Sequence, residues 1–236
     1  MNKFYASLSA YYDEIFPLSE VTLSFLKSYS TPGDRVLDMA CGTGTYAVKL
    51  AEEGYQVVAT DISPDMIDML REKSKAVDVR LLSMEETDHL EGSFNLIYCI
   101  GNSLVHLPSS KAILDALTKA YNKLDVGGHM VIQVINYDRI LDKEIESLPT
   151  LENKDGSIIF KRDYVLDDDH ILFKTALKAP TGNRYNVNRL YPVRPDMLLE
   201  SLVHLGMETE TFGSFNKDSF DPEKSQPFIV VAKKLG

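Results

Sequence analysis

The segment Val36 to Leu50, VLDMACGTGTYAVKL, runs from an apolar, strand-like start through a glycine pair into a helical pattern. A strand that ends in glycines and resumes as a helix is how a parallel sheet with helical crossovers begins, so this stretch narrows the choice of fold more than any other. Gly42, Gly44 and Ala47 satisfy the G-x-G-x-x-G/A spacing that sets a phosphate on a helix N-terminus in dinucleotide-binding folds, and an NAD-dependent oxidoreductase is the first reading to test. Asp38 argues against it. A carboxylate at the carboxyl end of the strand would face the negative charge of a pyrophosphate. Two unit charges at ~4 Å interact by ~1 kcal/mol in water and ~4 kcal/mol in a partly dehydrated site, with the sign set by the ligand. Asp38 therefore suits a cationic cofactor, and Asp61, in VVATDIS, places a second carboxylate at the end of the next strand.

The alternation continues. Strands are expected at Arg35 to Met39, Gln56 to Thr60, Val79 to Ser83, Phe94 to Ile100 and His129 to Asn136, with helices at Thr45 to Glu53, Pro64 to Lys75 and Ser109 to Leu124 between them. Ser63-Pro64 offers an N-cap and a first-turn proline, and Gly127-Gly128 a turn before the fifth strand. From about Asp138 the texture changes. After a short helix, SIIFKRDYVL, HILFKTALKA and RYNVNRLYPV read as an antiparallel meander, expected to lie as a cap over the carboxyl ends of the parallel strands or to extend the sheet. A helix from Pro195 to Leu205 and strands near Glu208 to Phe212 and Phe228 to Lys233 follow. The expected division is a cofactor-binding core over 1–137, an antiparallel β cap and substrate region over 138–193, and a C-terminal completion of the core sheet over 194–236.

Composition narrows the functional classes. A chain of 236 residues with 44% hydrophobic content builds one substantial core, and its formal charge of −10 opposes binding to nucleic acid. The most basic runs, Arg71 to Lys75 and Lys233-Lys234, are mixed in sign or short. No stretch reaches the ~20 apolar residues of a membrane span, and the polar start has no signal-peptide core, so a cytoplasmic protein without membrane partners is expected. Two cysteines, Cys41 and Cys99, make no disulfide framework and no metal-ligand spacing. Asp167-Asp168-Asp169 reads as a solvated bend and not as a metal site.

In one order, VLDMACGTG, VVATDIS, LLSMEET, FNLIYCIGNSLVHLP and LDVGGHMVIQV resemble the class I S-adenosylmethionine-dependent methyltransferases over nearly the whole chain. The resemblance implies an α/β, Rossmann-like sheet, mostly parallel with an antiparallel last strand, helices on both faces and a small antiparallel β cap. It implies S-adenosylmethionine as cofactor, whose sulfonium and ammonium match the electrostatic preference read from Asp38. By similarity, Ala40, Gly42 and Gly44 approach the methionine portion and Asp61 takes the ribose hydroxyls. Ile62, Met66 and Met84 flank the adenine, with Glu85 and Ile100 also at the cofactor.

CIGNSLVHL, INYDRIL, RLYPV and GSFN are similar to glycine and sarcosine N-methyltransferases. In those enzymes the segment matching Gly101-Asn102-Ser103 and His106 lies between cofactor and substrate, and Asn102 matches a residue that meets the amino acid. Their arginine for the substrate carboxylate is replaced here by Ile135, in QVINYD, and an aliphatic side chain cannot stand in for a bidentate clamp. The expected acceptor is thus a small amine other than glycine, unless Arg189, Arg194 or Arg184 supplies the charge. His106 either contacts the cofactor carboxylate or caps a loop. Tyr5, Tyr11 and Tyr12 fold over the cofactor by resemblance, or form the aromatic face of an amphipathic helix. Tyr191 points its phenol into the pocket if the meander is a cap, and is otherwise a sheet-edge aromatic.

The chemistry expected is direct in-line methyl transfer, positioned by Asn102 and Tyr191, in which alignment alone can supply ~7–11 kcal/mol of a barrier. A non-catalytic binder of S-adenosylmethionine is the remaining alternative, and the chain is left as a monomer or a homo-oligomer.

Overall fold

A computed structural model describes residue 8 and residues 10–236. Tyr5 lies outside the described residues. Helices α1 (Tyr12–Ile15) and α2 (Glu20–Lys27) precede the first strand, and Ser19 caps α2 by accepting from the Thr22 N–H at 3.3 Å. The alternating half then runs β1 (Arg35–Met39), α3 (Thr45–Glu52), β2 (Gln56–Asp61), α4 (Pro64–Lys73), β3 (Asp78–Leu81), β4 (Phe94–Cys99), α5 (Ser110–Asn122) and β5 (Leu124–Ile135). Short 3-10 turns at Met84–His89 and Leu104–His106 flank β4. Helix α6 (Tyr137–Asp142) leads into β6 (Ser147–Glu152), β7 (Ile159–Asp167), β8 (His170–Ala179) and β9 (Gly182–Leu190), and the chain closes with α7 (Pro195–His204), β10 (Met207–Phe212) and β11 (Pro227–Lys234).

Two sheets result. The seven-stranded sheet has the order β10-β11-β5-β4-β1-β2-β3, with β11 antiparallel to both of its neighbours, and the four-stranded sheet has the order β6-β7-β8-β9, antiparallel throughout. Sequence alternation explains the central strands, which are buried on both faces. Val36, Val57, Leu96 and Val131 point to one side with Phe25, Leu26 and Leu50. Leu37, Val58, Ile97 and Met130 point to the other with Ile113, Leu117 and Leu198.

Three elements differ from the sequence reading. β3 ends at Leu81 and not at Ser83, because Ser83 accepts and returns hydrogen bonds with Glu86 as a capping box for the following turn. β5 starts at Leu124 and not at His129. Gly127-Gly128 forms an irregularity within the strand, where pairing shifts between Phe94↔Leu124 and Leu96↔His129. A Cβ on Gly128 would lie 2.9 Å from the carbonyl oxygens of Asn95 and Asp125, so the bulge needs glycine. Finally, the meander gains a fourth strand, β6, whose Pro149 suits an edge position and weakens its strand signal.

The smaller sheet packs Tyr164, Ile171 and Leu190 into the main core, while Phe160 and Leu177 join Leu8 and Ile15 of the N-terminal segment in a separate cluster. The meander therefore covers the carboxyl ends of the parallel strands and does not extend their sheet. Among the described residues, no helix is long and apolar enough to cross a membrane.

Candidate active site

Between the two sheets lies a cavity of about 380 Å³. Its floor is the turn after β1. Ala40 (φ 63°) and Gly42 (φ 56°) both take left-handed backbone, which glycine adopts freely and which strains Ala40. Asp61, at the end of β2, holds this turn. Its Oδ2 accepts from the Gly42 N–H and its Oδ1 from the Ser63 N–H, each at 2.8 Å. Burial raises the Asp61 carboxyl, and the backbone donors at Ser63, Gly42 and Ile62 pull it back. Each oxygen keeps a lone pair for a hydroxyl donor.

Next to Asp61 the wall is apolar. Ile62 stands 75% exposed, an unusual setting for an isoleucine, and lines the cavity together with Met66, Met84 and Glu85. Tyr12 lies over the glycine turn, its ring 3.5 Å from where a Cβ on Gly42 would sit. What fastens the N-terminal segment there is Asp13, a residue the sequence reading passed over. Its Oδ1 accepts from the Thr43 and Thr45 hydroxyls at 2.6 and 3.0 Å, and its other oxygen pairs with Lys73, which also donates to the Thr43 carbonyl at 3.1 Å. Burial would raise the Asp13 carboxyl, but these donors together hold it below its usual value.

At the other end, Asn102 (φ 65°) accepts from the Ile135 N–H at 2.9 Å and donates to the Tyr137 hydroxyl at 3.1 Å. Gln133 accepts from the Gly101 N–H at 2.8 Å, so the loop after β4 is tied to the end of β5 at two points. His106 lines the same space, and burial lowers its imidazole so that the neutral form dominates at neutral pH. Ile135 contributes an apolar patch.

Tyr12, Ala40, Gly42, Asp61, Ile62, Met66, Met84, Glu85, Asn102, His106 and Ile135 thus share one cavity. Seven others considered for the site lie elsewhere. Asp38, 4% exposed, shares the sheet face of Val36 and stands beside Tyr98, its register partner on β4, and is pushed up to about 7, by burial first, with Asp61 adding to the rise and Tyr98 opposing it. Gly44 opens α3 at φ 72°, where a Cβ would come within 2.3 Å of Leu70, so its glycine serves helix packing. Ile100 turns into the core beneath the sheet. Arg189 sits on the outer face of β9, paired with Asp167 at 2.9 Å, and Arg194 pairs with Asp138 at 3.0 Å. The Arg184 guanidinium donates to the adjacent Asn183 carbonyl at 2.9 Å and supplies no charge to the cavity either. Tyr191 meets His170 edge-on at 5.6 Å in a neighbouring pocket with Leu141 and Met197. Its main chain is fixed there by a hydrogen bond from its N–H to the Val105 carbonyl.

The cap supplies residues that the sequence reading missed: Phe160, Arg162, Phe173, Thr175 and Asn188. Their signal was present. In IFKRDY a period of two puts Phe160, Arg162 and Tyr164 on one face, and fixing which face looks inward would have selected Arg162 over Arg189.

Class I S-adenosylmethionine-dependent methyltransferases share this arrangement of seven strands with β11 reversed and a glycine turn braced by an acid at the next strand end, and the chain belongs to that family. The Methyltransferase domain family matches residues 36–128. The chain is 30% identical over 217 residues to glycine/sarcosine N-methyltransferase of Aphanothece halophytica, covering 89% of this chain and 80% of the relative. It is 29% identical over 208 residues to glycine/sarcosine/dimethylglycine N-methyltransferase of Actinopolyspora halophila, covering 85% of this chain but 36% of that longer protein. In fold it matches an S-adenosylmethionine-dependent methyltransferase of Clostridium acetobutylicum, with a TM-score of 0.82 over 99% of this chain and 100% of the other at 15% identity. The protein is a methyltransferase whose cofactor is S-adenosylmethionine.

Proposed function

We propose that the acceptor is a small-molecule amine, methylated by direct in-line transfer within the cavity between the two sheets. One observation carries this reading: on the side of the larger sheet the acceptor end of the cavity is lined by Asn102, His106 and Ile135, neutral hydrogen-bonding and apolar groups, the charged lining residue of the cap is Arg162, and among the described residues no cluster of side chains could hold a metal ion. Bound S-adenosylmethionine supplies an electrophilic methyl group on a sulfonium. The protein's task is then to seat the cofactor, align the amine and keep water out.

In this reading Asp61 takes the ribose hydroxyls on its spare lone pairs, and Ile62, Met66 and Met84 enclose the adenine. The turn from Ala40 to Gly42 bears the methionine portion. Tyr12, fastened through Asp13, closes over it. Asn102 has both ends of its amide engaged by Tyr137 and Ile135, so it presents its remaining N–H in a fixed direction. His106, neutral, can accept a hydrogen bond from an incoming amine. The similarity to glycine/sarcosine N-methyltransferases supports an amine nitrogen as the methylated atom. The setting that fits is the cytoplasm, where the unpaired Cys41 and Cys99 stay reduced.

The test is methyl transfer from labelled S-adenosylmethionine to glycine, sarcosine and neutral or cationic amines, with the unaltered protein and Ile135→Arg. Methylation of amines, and a rise in glycine turnover on introducing arginine where the similar enzymes carry one, are the expected results. S-adenosylmethionine binding without transfer to any amine would sink the reading.

A further inference from the structure

Two polar atoms that line the cavity from the cap are buried without a hydrogen-bond partner in the protein. Arg162 on β7 lines the cavity with its Nε buried and unpaired, while its Nη2 donates to the Pro149 carbonyl at 2.8 Å. Thr175 on β8, its direct cross-strand neighbour, is 4% exposed and lines the same cavity with its Oγ1 also buried and unpaired. Among the described residues Arg71, Arg80, Arg189 and Arg194 form ion pairs while Arg35, Arg139, Arg162 and Arg184 form none, and of these four Arg162 lines the cavity. A buried, unpaired donor costs free energy, and at Arg162, a half-buried residue, that donor belongs to a charged group with no anion beside it. Such groups are retained where something outside the chain satisfies them.

We infer that Arg162 and Thr175 form the subsite for a carboxylate on the methyl acceptor. The guanidinium edge carries parallel N–H donors that match two carboxylate oxygens, and the Thr175 hydroxyl adds a third donor beside it. Anchoring of Nη2 by Pro149 on β6 fixes the plane of the fork before any ligand arrives. Phe160 and Phe173 line the cavity near them and exclude water, which strengthens a charge-assisted bond. Arg162 and Ile135 stand on different sheets of one cavity, so the acid recognised by a core-sheet arginine in the similar enzymes is recognised here from the cap, at a different distance from the transferring methyl. The acceptor is then an amino acid, and its carbon chain is as long as the span from Arg162 to the methyl position requires.

This inference rests on the proposed amine methyltransfer, and the experiment separates the two. Glycine, β-alanine and 4-aminobutyrate, together with their amides, are titrated by calorimetry into protein saturated with S-adenosylhomocysteine, and are assayed in parallel as acceptors. Expected is a preference for the acid over its amide at one chain length. That preference falls about tenfold or more in Arg162→Gln, is partly restored in Arg162→Lys, and falls more weakly in Thr175→Val. Binding of S-adenosylhomocysteine itself, read in each variant, reports that the fold and the cofactor site are intact. Equal binding of acid and amide at every length, or an acid preference that survives Arg162→Gln, overturns the subsite. Acid binding that depends on Arg162 without methyl transfer upholds the subsite and removes the amine chemistry.

Discussion

Asp38 separates two meanings of a sequence signal. The sequence points to the aspartate one residue before the end of β1 as a charge facing the cofactor, yet it lies beside Tyr98 on the face of Val36, because residues 36 and 38 share one face and 37 and 39 the other. Its carboxyl, raised from 3.8 to about 7, binds more protons in the folded chain than in the unfolded one between those values. Stability of the free protein therefore falls as pH rises from about 4 to 7, and stays at the lower level above. Asp38 does not line the cavity, but it feels the charge of Asp61, which does, so a cation bound beside Asp61 favours the ionised form of Asp38 and expels its proton. S-adenosylmethionine should thus bind more tightly as pH rises toward about 7 and release a proton on binding, which calorimetry in buffers of different ionisation enthalpy reads directly. In Asp38→Asn the pH slope should vanish while the thermal midpoint of the free protein at pH 8 rises. A slope that persists would assign the proton to Asp61. The place of Asp61 at the end of β2 was legible from the sequence. The hydrogen bond it accepts from the Gly42 N–H was not, because a backbone partner leaves no mark on composition.

At the scale of elements, glycine spacing located the strand-turn-helix unit correctly and mixed two roles within it. Gly42 has Tyr12 above it and lines the cavity, whereas Gly44 is squeezed against Leu70, so only the first belongs to the ligand side. Gly44→Ala puts a side chain at φ 72° and into the Leu70 methyls, and should cost about 3 kcal/mol in denaturant unfolding through left-handed strain plus overpacking. Adding Leu70→Ala should recover part of that loss, a coupling that a purely conformational cost would not show. Helix α4 was legible because Ser63 and Pro64 are local signals, and Ser63 does accept from the Met66 N–H, at 3.5 Å. β6 was not, since six residues with a central proline gain their strand character only from pairing with β7. The tether of α1 through Asp13 to Thr43, Thr45 and Lys73 joins residues far apart in the chain, and no pattern within either segment announces it.

For the molecule as a whole, alternating strands and helices followed by a meander revealed both sheets. Which arginine faces the cavity depended on how the second sheet leans on the first, a relation carried by Tyr164, Ile171 and Leu190 packing into the main core. Three arginines were considered and a fourth, Arg162, lines the site, since strand alternation gives two faces but not their direction. The position of β11 has a consequence for how the protein is made. It lies between β5 and β10, so of all the strands in the two sheets the last to leave the ribosome fills an interior slot of the larger one. Until then β5 carries an unpaired, mostly apolar edge, with Met130, Val131, Ile132 and Val134 on it, through the synthesis of the entire cap. An edge of that kind recruits other chains. A chain shortened before Pro227 should accumulate as aggregate during translation and bind chaperones. Supplying residues 227–236 as a separate peptide should restore part of the soluble yield only when it is present before, and not after, the shortened chain has aggregated.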